Sequence, residues 1–233
     1  PRVHNDRAGE VGRTLNVKDF DPDRIFGQEG VQIMHLSGLI AALSPETGVF
    51  CLELARAAKK YGTRISFDLN HRASFWINRE EELHRIFTEI AGIADILIGN
   101  EEDFQLCLGI DGPEAGGKDI KAKIENFKGM INRVKKNFSN ATVFATTLRQ
   151  VISANHHLWG AILSEGDDWH IVEPRDITVL DRIGGGDGFV GGMLYAILRN
   201  WEPQKWVQFA WATGALATTM LTDYAQPADE EQV

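Results

Sequence analysis

Cysteine is nearly absent: Cys51 and Cys107 are the 2 thiols among 233 residues. So few exclude a disulfide framework and any zinc site built from four thiolates. Long apolar runs are missing as well. The longest uninterrupted stretches are only a few residues, against the roughly 20 that a bilayer-spanning helix needs, so no transmembrane helix is expected. No start combines a basic segment with an apolar one, as a secretory signal would. Cations are in deficit: Lys and Arg number 24 against 33 Asp and Glu, a formal charge of −9. That sign argues against a general nucleic-acid binder, whose affinity rests on cations at phosphates. The 7 histidines show no metal-ligand spacing, and internal repeats and low-complexity tracts are lacking. What is present is 43% apolar, too much for a disordered chain and, at this length, enough for a sizeable core. The expectation is a soluble, cytoplasmic, globular protein of one domain. The chain opens at Pro1, not Met, and Pro227 to Val233 read as an interrupted helix start, so a portion of a longer polypeptide is expected.

Along the chain, short β-like runs alternate with longer helical ones. Val31 to Leu36 reads as a strand followed by Ser37-Gly38. Ser44-Pro45-Glu46 is a helix start with a cap, a first-turn proline and an early acid, and Val49, Leu52, Ala55 and Ala58 are expected on its core face. Thr63 to Leu69 is the next strand, Arg79 to Ile90 an amphipathic helix, and Asp95 to Ile98 a short strand. Asn100-Glu101-Glu102-Asp103 opens another helix, and residues 111–119 form a loop. From about Lys121 to Asn137 a charged helix buries Ile124, Phe127, Ile131 and Val134; it is a solvated amphipathic helix, not a nucleic-acid patch. Ala141 to Thr147 is a strand, segments 150–154, 159–164 and 168–173 form an antiparallel extension, and helices at about 187–199 and 204–221 close the chain. His156-His157 adjoin a turn and are expected at the surface. The alternation predicts an α/β fold with helices on both faces of a parallel sheet, and ligands in such sheets bind outside the carboxyl ends of the strands. Three polar clusters, 68–72, 100–103 and 181–187, directly follow predicted strands.

The last of these is the most informative: Asp181-Arg182-Ile183-Gly184-Gly185-Gly186-Asp187-Gly188-Phe189-Val190-Gly191-Gly192. Consecutive glycines free the backbone for conformations barred to other residues, and several N–H groups can converge on an anion at a helix N-terminus. Asp187 would sit in the first turn beside that anion hole, where a carboxylate can act as general base. The same residues also read as a tight turn followed by a first-turn acid. Gly186 to Gly191 match the spacing of a dinucleotide fingerprint, but no βαβ unit with a following acid succeeds them, so that reading is rejected.

The run 181–194 resembles the C-terminal signature of the ribokinase-like (PfkB-type) carbohydrate kinases. Asp68-Leu69-Asn70-His71-Arg72, continuing to Trp76, is similar to the D-x-N-x-R-x-x-x-W segment of 2-keto-3-deoxygluconate kinases, and Asn100 to Asp103 resembles the family's N-x-x-E motif. The resemblance implies a three-layer α/β/α sandwich with a mainly parallel central sheet. It also implies that the family's N-terminal strands, lid and glycine-rich sugar-binding segment are missing here.

By this resemblance the protein is an ATP-dependent, magnesium-requiring kinase that converts 2-keto-3-deoxygluconate to its 6-phosphate. Another PfkB-type sugar kinase, such as a fructokinase, and a non-catalytic nucleotide- or sugar-binding fragment stay open. Asp187 would be the base and Gly184, Gly185 and Gly186 the anion hole. Arg72 would pair with the sugar carboxylate, with a surface arginine at a strand end as the alternative. Arg7 is a second substrate candidate, although Asn5 stands where the resembled kinases carry Tyr. Asn100 and Asp103 are expected near magnesium and phosphate, Asp103 through water, or else as a helix cap. Thr147 and Arg149 are candidates at the phosphates; Trp211, Gly214 and Ala215 border the adenine pocket or are plain core. Asp181 belongs to a monovalent-cation site or caps its turn. Partners are limited to the sugar and ATP, with homo-oligomerisation left open.

Overall fold

A computed structural model describes residues 9–112, 120–222 and 224–233, so Arg7 and most of the 111–119 loop lie outside the described residues. Two compact units are recognised: Pro1–Pro113 with Gly129–Thr142, and Glu114–Lys128 with Val143–Val233.

The first unit is built on three parallel strands, β1 (Ile33–Ser37), β2 (Arg64–Asp68) and β3 (Ile96–Ile98), with Ser37 opposite Asp68 and Asp68 opposite Ile98. Strands covered on both faces read as continuous apolar runs, and Ile65, Phe67, Ile96 and Leu97 are accordingly buried. Helices α1 (Gly38–Ala42), α2 (Pro45–Lys60), α3 (Ala73–Trp76), α4 (Glu80–Ile93) and α5 (Glu101–Leu108) complete it, together with the second half of α6 (Ile120–Asn137). The start of α2 is as expected, with Pro45 in the first turn and a capping box in which the side chains of Ser44 and Thr47 bond each other's backbone N–H.

Its core face differs in one position. Leu52, Ala55 and Ala58 are buried, but Val49 is 48% exposed. The helix is seated through Gly48, where a Cβ would lie 2.7 Å from Ile86 Cδ1 and 3.2 Å from the Ala41 carbonyl. That seat turns Cys51 and Ala55 inward and leaves Val49 at the rim. Arg79, expected within α4, precedes it and ties Glu82 to the carbonyl of Ala42. Asp95 fixes the register at the foot of the strands: its carboxylate accepts from Ile65 N–H at 2.7 Å and from Lys59 Nζ at 2.9 Å.

The second unit carries β4 (Val143–Ser153), β5 (His156–Glu165) and β6 (Asp168–Thr178), followed by α7 (Gly185–Leu198) and α8 (Pro203–Thr218). All described pairings here are antiparallel. The expected break between 147 and 150 is absent, because Thr146 to Val151 pair without interruption to Ile162 through His157. His157 is a further correction: it is 4% exposed, since its place in the β4–β5 ladder turns it inward. The amphipathic reading of α6 holds, with Ile124, Phe127, Ile131 and Val134 all buried.

Helices α7 and α8 approach through small residues. A Cβ on Gly192 would stand 2.0 Å from Thr213 Oγ1, and one on Gly214 would stand 2.8 Å from the Gly185 carbonyl. Thr213 Oγ1 donates to the Gly188 carbonyl at 2.8 Å. No described helix is long and apolar enough to cross a membrane.

Candidate active site

The expected residues fall into two sets, Arg72, Asn100 and Asp103 in the first unit and the others in the second. In the first set, β2 ends at Asp68 and the Leu69 N–H donates to the Ile98 carbonyl at 2.8 Å. Asn70 then turns the chain with φ of 38°, and its Nδ2 donates to Ser37 Oγ at 3.1 Å. Gly38 is required beside this turn, because a Cβ there would meet the Leu69 carbonyl at 2.0 Å. The turn delivers Arg72 to the surface, where its Nη1 donates to the His71 carbonyl at 2.9 Å. Trp76, the end of the motif, is core: it stacks edge-on against Phe87 at 5.0 Å and tilts on His71 at 5.1 Å.

Asn100 and Asp103 form a reciprocal capping box on α5. One Asp103 oxygen accepts the Asn100 N–H at 2.8 Å and the other the His71 N–H at 3.0 Å. The carboxyl is therefore buried scaffold that joins the 68–72 turn to α5. Burial pushes its pKa up, against the pull of those two N–H groups and of the charges on His71 and Arg72. With both oxygens engaged, it would act on magnesium only through water. Among the described residues no group of His, Cys, Asp and Glu side chains is placed to hold a metal. A magnesium ion carried by phosphates, with most of its water retained, fits this arrangement better than a protein cage.

In the second set, Gly184 is the N-cap of α7 with φ of 81°, a left-handed conformation that favours glycine. The three glycines are not equivalent. Gly185 is packed tight, since a Cβ there would lie 2.4 Å from Trp159 Cη2 and 2.8 Å from Thr218 Cγ2. Gly186 faces open space, with nothing within 4 Å of where a Cβ would be. First-turn N–H groups have no acceptor within their helix, so this end of α7 can receive an anion. Asp187 follows in that first turn, exposed, on the wall of a 290 Å³ cavity that also takes in Gly184, Thr213, Leu216 and Tyr224.

Ala217 lines the same cavity; Trp211 and Gly214 do not. The Trp211 Nε1 donates to the Trp159 carbonyl at 2.8 Å, and the Arg175 guanidinium lies 5.2 Å from its ring centre. Gly214 and Ala215 are buried. Asp181 accepts the Ile183 N–H at 3.0 Å, the turn-capping alternative. Thr147 is half-buried on β4 opposite Ala161, and Arg149 stands two residues further on, opposite Trp159. Sequence reasoning missed Thr213, Leu216 and Tyr224 as cavity walls, because their helical or loop context carries no motif.

This glycine-capped helix start, with an exposed carboxylate and an adjoining cavity, can be set beside what comparisons with known proteins show. Residues 27–228 match the model of the pfkB family carbohydrate kinases. Among curated proteins, the 5-dehydro-2-deoxygluconokinase of Clostridium perfringens is 26% identical over 211 residues, covering 90% of this chain and 55% of that protein. The 2-dehydro-3-deoxygalactonokinase of Haloferax volcanii is 25% identical over 236 residues, covering 99% and 65%. Among solved structures, the 2-dehydro-3-deoxygluconokinase of Thermotoga maritima superposes with a TM-score of 0.80 at 29% identity, covering 91% of this chain and 61% of that one. The fold is therefore the three-layer α/β/α sandwich of the ribokinase-like sugar kinases. The chain belongs to the pfkB family of carbohydrate kinases. It spans about half to two thirds of the length of the relatives it matches.

Proposed function

We propose that the protein to which this chain belongs transfers a phosphoryl group from ATP to a hydroxyl of an acidic keto-deoxy sugar, 2-keto-3-deoxygluconate, giving the 6-phosphate. The observation that carries this reading is the exposed Asp187 carboxylate in the first turn of α7, beside the unobstructed Gly186. Asp187 takes the hydroxyl proton as the sugar oxygen bonds to the γ-phosphorus. The bond from that phosphorus to its bridging oxygen breaks, and ADP leaves with the electron pair. The N–H groups at the glycine turn stabilise charge on the transferring group, where positioning and electrostatics carry most of the catalysis. Magnesium supplies charge neutralisation on the phosphates, with Asn100 and Asp103 as its expected partners across water.

Arg72 supports the acidic sugar, since a guanidinium delivered to the surface at the end of a parallel strand suits a carboxylate. The name of the Clostridium relative favours a second substrate of the same chemistry, 5-dehydro-2-deoxygluconate. A panel of sugars with ATP and magnesium tests the reading. Turnover is expected with the two keto-deoxy acids and Arg72→Gln should raise their KM; preference for a neutral hexose, unaffected by that substitution, would overturn it.

A further inference from the structure

His71 stands between the Asn70 turn and Arg72, and the fold engages both of its backbone groups. Its N–H donates to one Asp103 oxygen at 3.0 Å, and its carbonyl accepts Arg72 Nη1 at 2.9 Å. Its ring tilts on Trp76, which is 5% exposed and packed edge-on against Phe87. Upstream, the Leu69 N–H is tied to the Ile98 carbonyl and the Asn70 side chain to Ser37. The backbone that leads to Arg72 is therefore fixed from the core, while Arg72 itself is exposed.

Asp103 does more than a helix start requires. In a capping box the third-position side chain needs one oxygen, for the N–H of the capping residue. Asp103 gives that oxygen to Asn100, and its second oxygen reaches His71, 32 residues earlier in the chain. The residue is 8% exposed, and a carboxylate is costly to bury unless its acceptors are filled. A cap works equally well at the surface, so capping α5 does not account for the burial. Gly99 makes the close approach possible: a Cβ there would lie 3.1 Å from Asp103 Cβ and 3.2 Å from Leu69 Cδ1.

We propose that Asp103 is a positioning residue for Arg72. Through the His71 backbone it fixes where the guanidinium stands, and so sets the affinity for the sugar carboxylate, a role separate from any contact with magnesium. The sugar end of this role rests on the proposed kinase function; the tie between α5 and the 69–72 turn does not. A long exposed arginine loses rotamer freedom when it pairs with a ligand, and a fixed backbone with the guanidinium already held reduces that loss. Displacement of such a group by about 1 Å can cost on the order of a hundred-fold.

Steady-state kinetics with 2-keto-3-deoxygluconate, ATP and magnesium tests it. Asp103→Ala should raise the sugar KM about ten-fold or more, the range of a lost charge-assisted bond, with kcat, the ATP KM and the magnesium half-saturation little changed. Asp103→Asn keeps the volume and one acceptor; its sugar KM should rise less, and it serves if the alanine variant unfolds. In an Arg72→Gln background neither substitution should raise the sugar KM further, because the group that Asp103 positions is gone. Asn100→Ala loosens the α5 cap but leaves the His71 bond, so its sugar KM should stay near wild type. Additive effects in the Arg72→Gln background would overturn the proposal. So would an equal rise in Asn100→Ala, or a shift in magnesium half-saturation with the sugar KM unmoved. Hydrogen exchange of the His71 amide, measured without substrate, separates the two readings. Wild-type protection that is lost in Asp103→Ala supports the tie even if no keto-deoxy acid is turned over, an outcome that would sink the kinase reading alone. Equal exchange in the two proteins would overturn the tie itself.

Discussion

The turn after β2 and the turn before α7 both follow strands, and both gather polar residues, yet the protein uses them in opposite ways. In the first, Asp103 is buried and its two oxygens are consumed by the N–H groups of Asn100 and His71. In the second, Asp187 is exposed beside a cavity, and a Cβ on the adjacent Gly186 would meet nothing within 4 Å. A carboxylate whose acceptors are filled by its own backbone is scaffold. One with free approach, next to unsatisfied donors, is available for chemistry.

Substitutions can break this contrast. The largest effect is expected for Asp187→Asn, which should lower kcat by about 10² to 10⁴, the range of a lost general base, with an unchanged melting transition. Activity near wild type would remove Asp187 from the mechanism. The two adjacent glycines should then separate packing from ligand approach. Gly185→Ala forces a methyl into Trp159 and Thr218 and should destabilise by about 1–3 kcal/mol in denaturant titrations. Gly186→Ala should leave stability unchanged or raise it by roughly 0.5–1 kcal/mol, as expected for alanine in a helix, while kcat falls. If both glycine variants unfold alike, the distinction between them is wrong.

At the other turn, Asn100→Ala should cost about 1 kcal/mol through loss of the α5 cap, with KM and kcat altered less than by Asp187→Asn. The smallest effect concerns pH. Burial raises the Asp103 pKa in the folded state above its ordinary 3.8, so the folded protein binds that proton more tightly than the unfolded chain. The resulting stability is present below the ordinary value and is lost as pH rises through the raised one. Relative to Asp103→Asn, wild type should therefore lose stability over that window. A difference that grows instead would mean that the two N–H bonds outweigh burial.

Much of the fold was legible because local chemistry and tertiary placement agree. Ser44-Pro45 capped α2, the i, i+3, i+4 spacing of Ile124, Phe127, Ile131 and Val134 marked a buried helical face, and the glycine run marked the start of α7. Where the reading failed, packing overrode periodicity. Val49 left the core because Gly48 set the seat of its helix, and His157 entered it because a ladder, not the nearby turn, fixed its face.

The candidate site divides in the same manner. Which residue types stand after which strands is a property of the chain, and it was enough to single out Arg72, Asn100, Asp103 and Asp187 as candidates and to point to the family whose model the chain matches. Only the tertiary structure decided what each of them faces. It closed Asp103 with backbone donors, left Asp187 open, and distinguished a glycine needed for space from one that leaves it free. Burial and electrostatic proximity depend on distances between residues remote in sequence, and no local pattern encodes those.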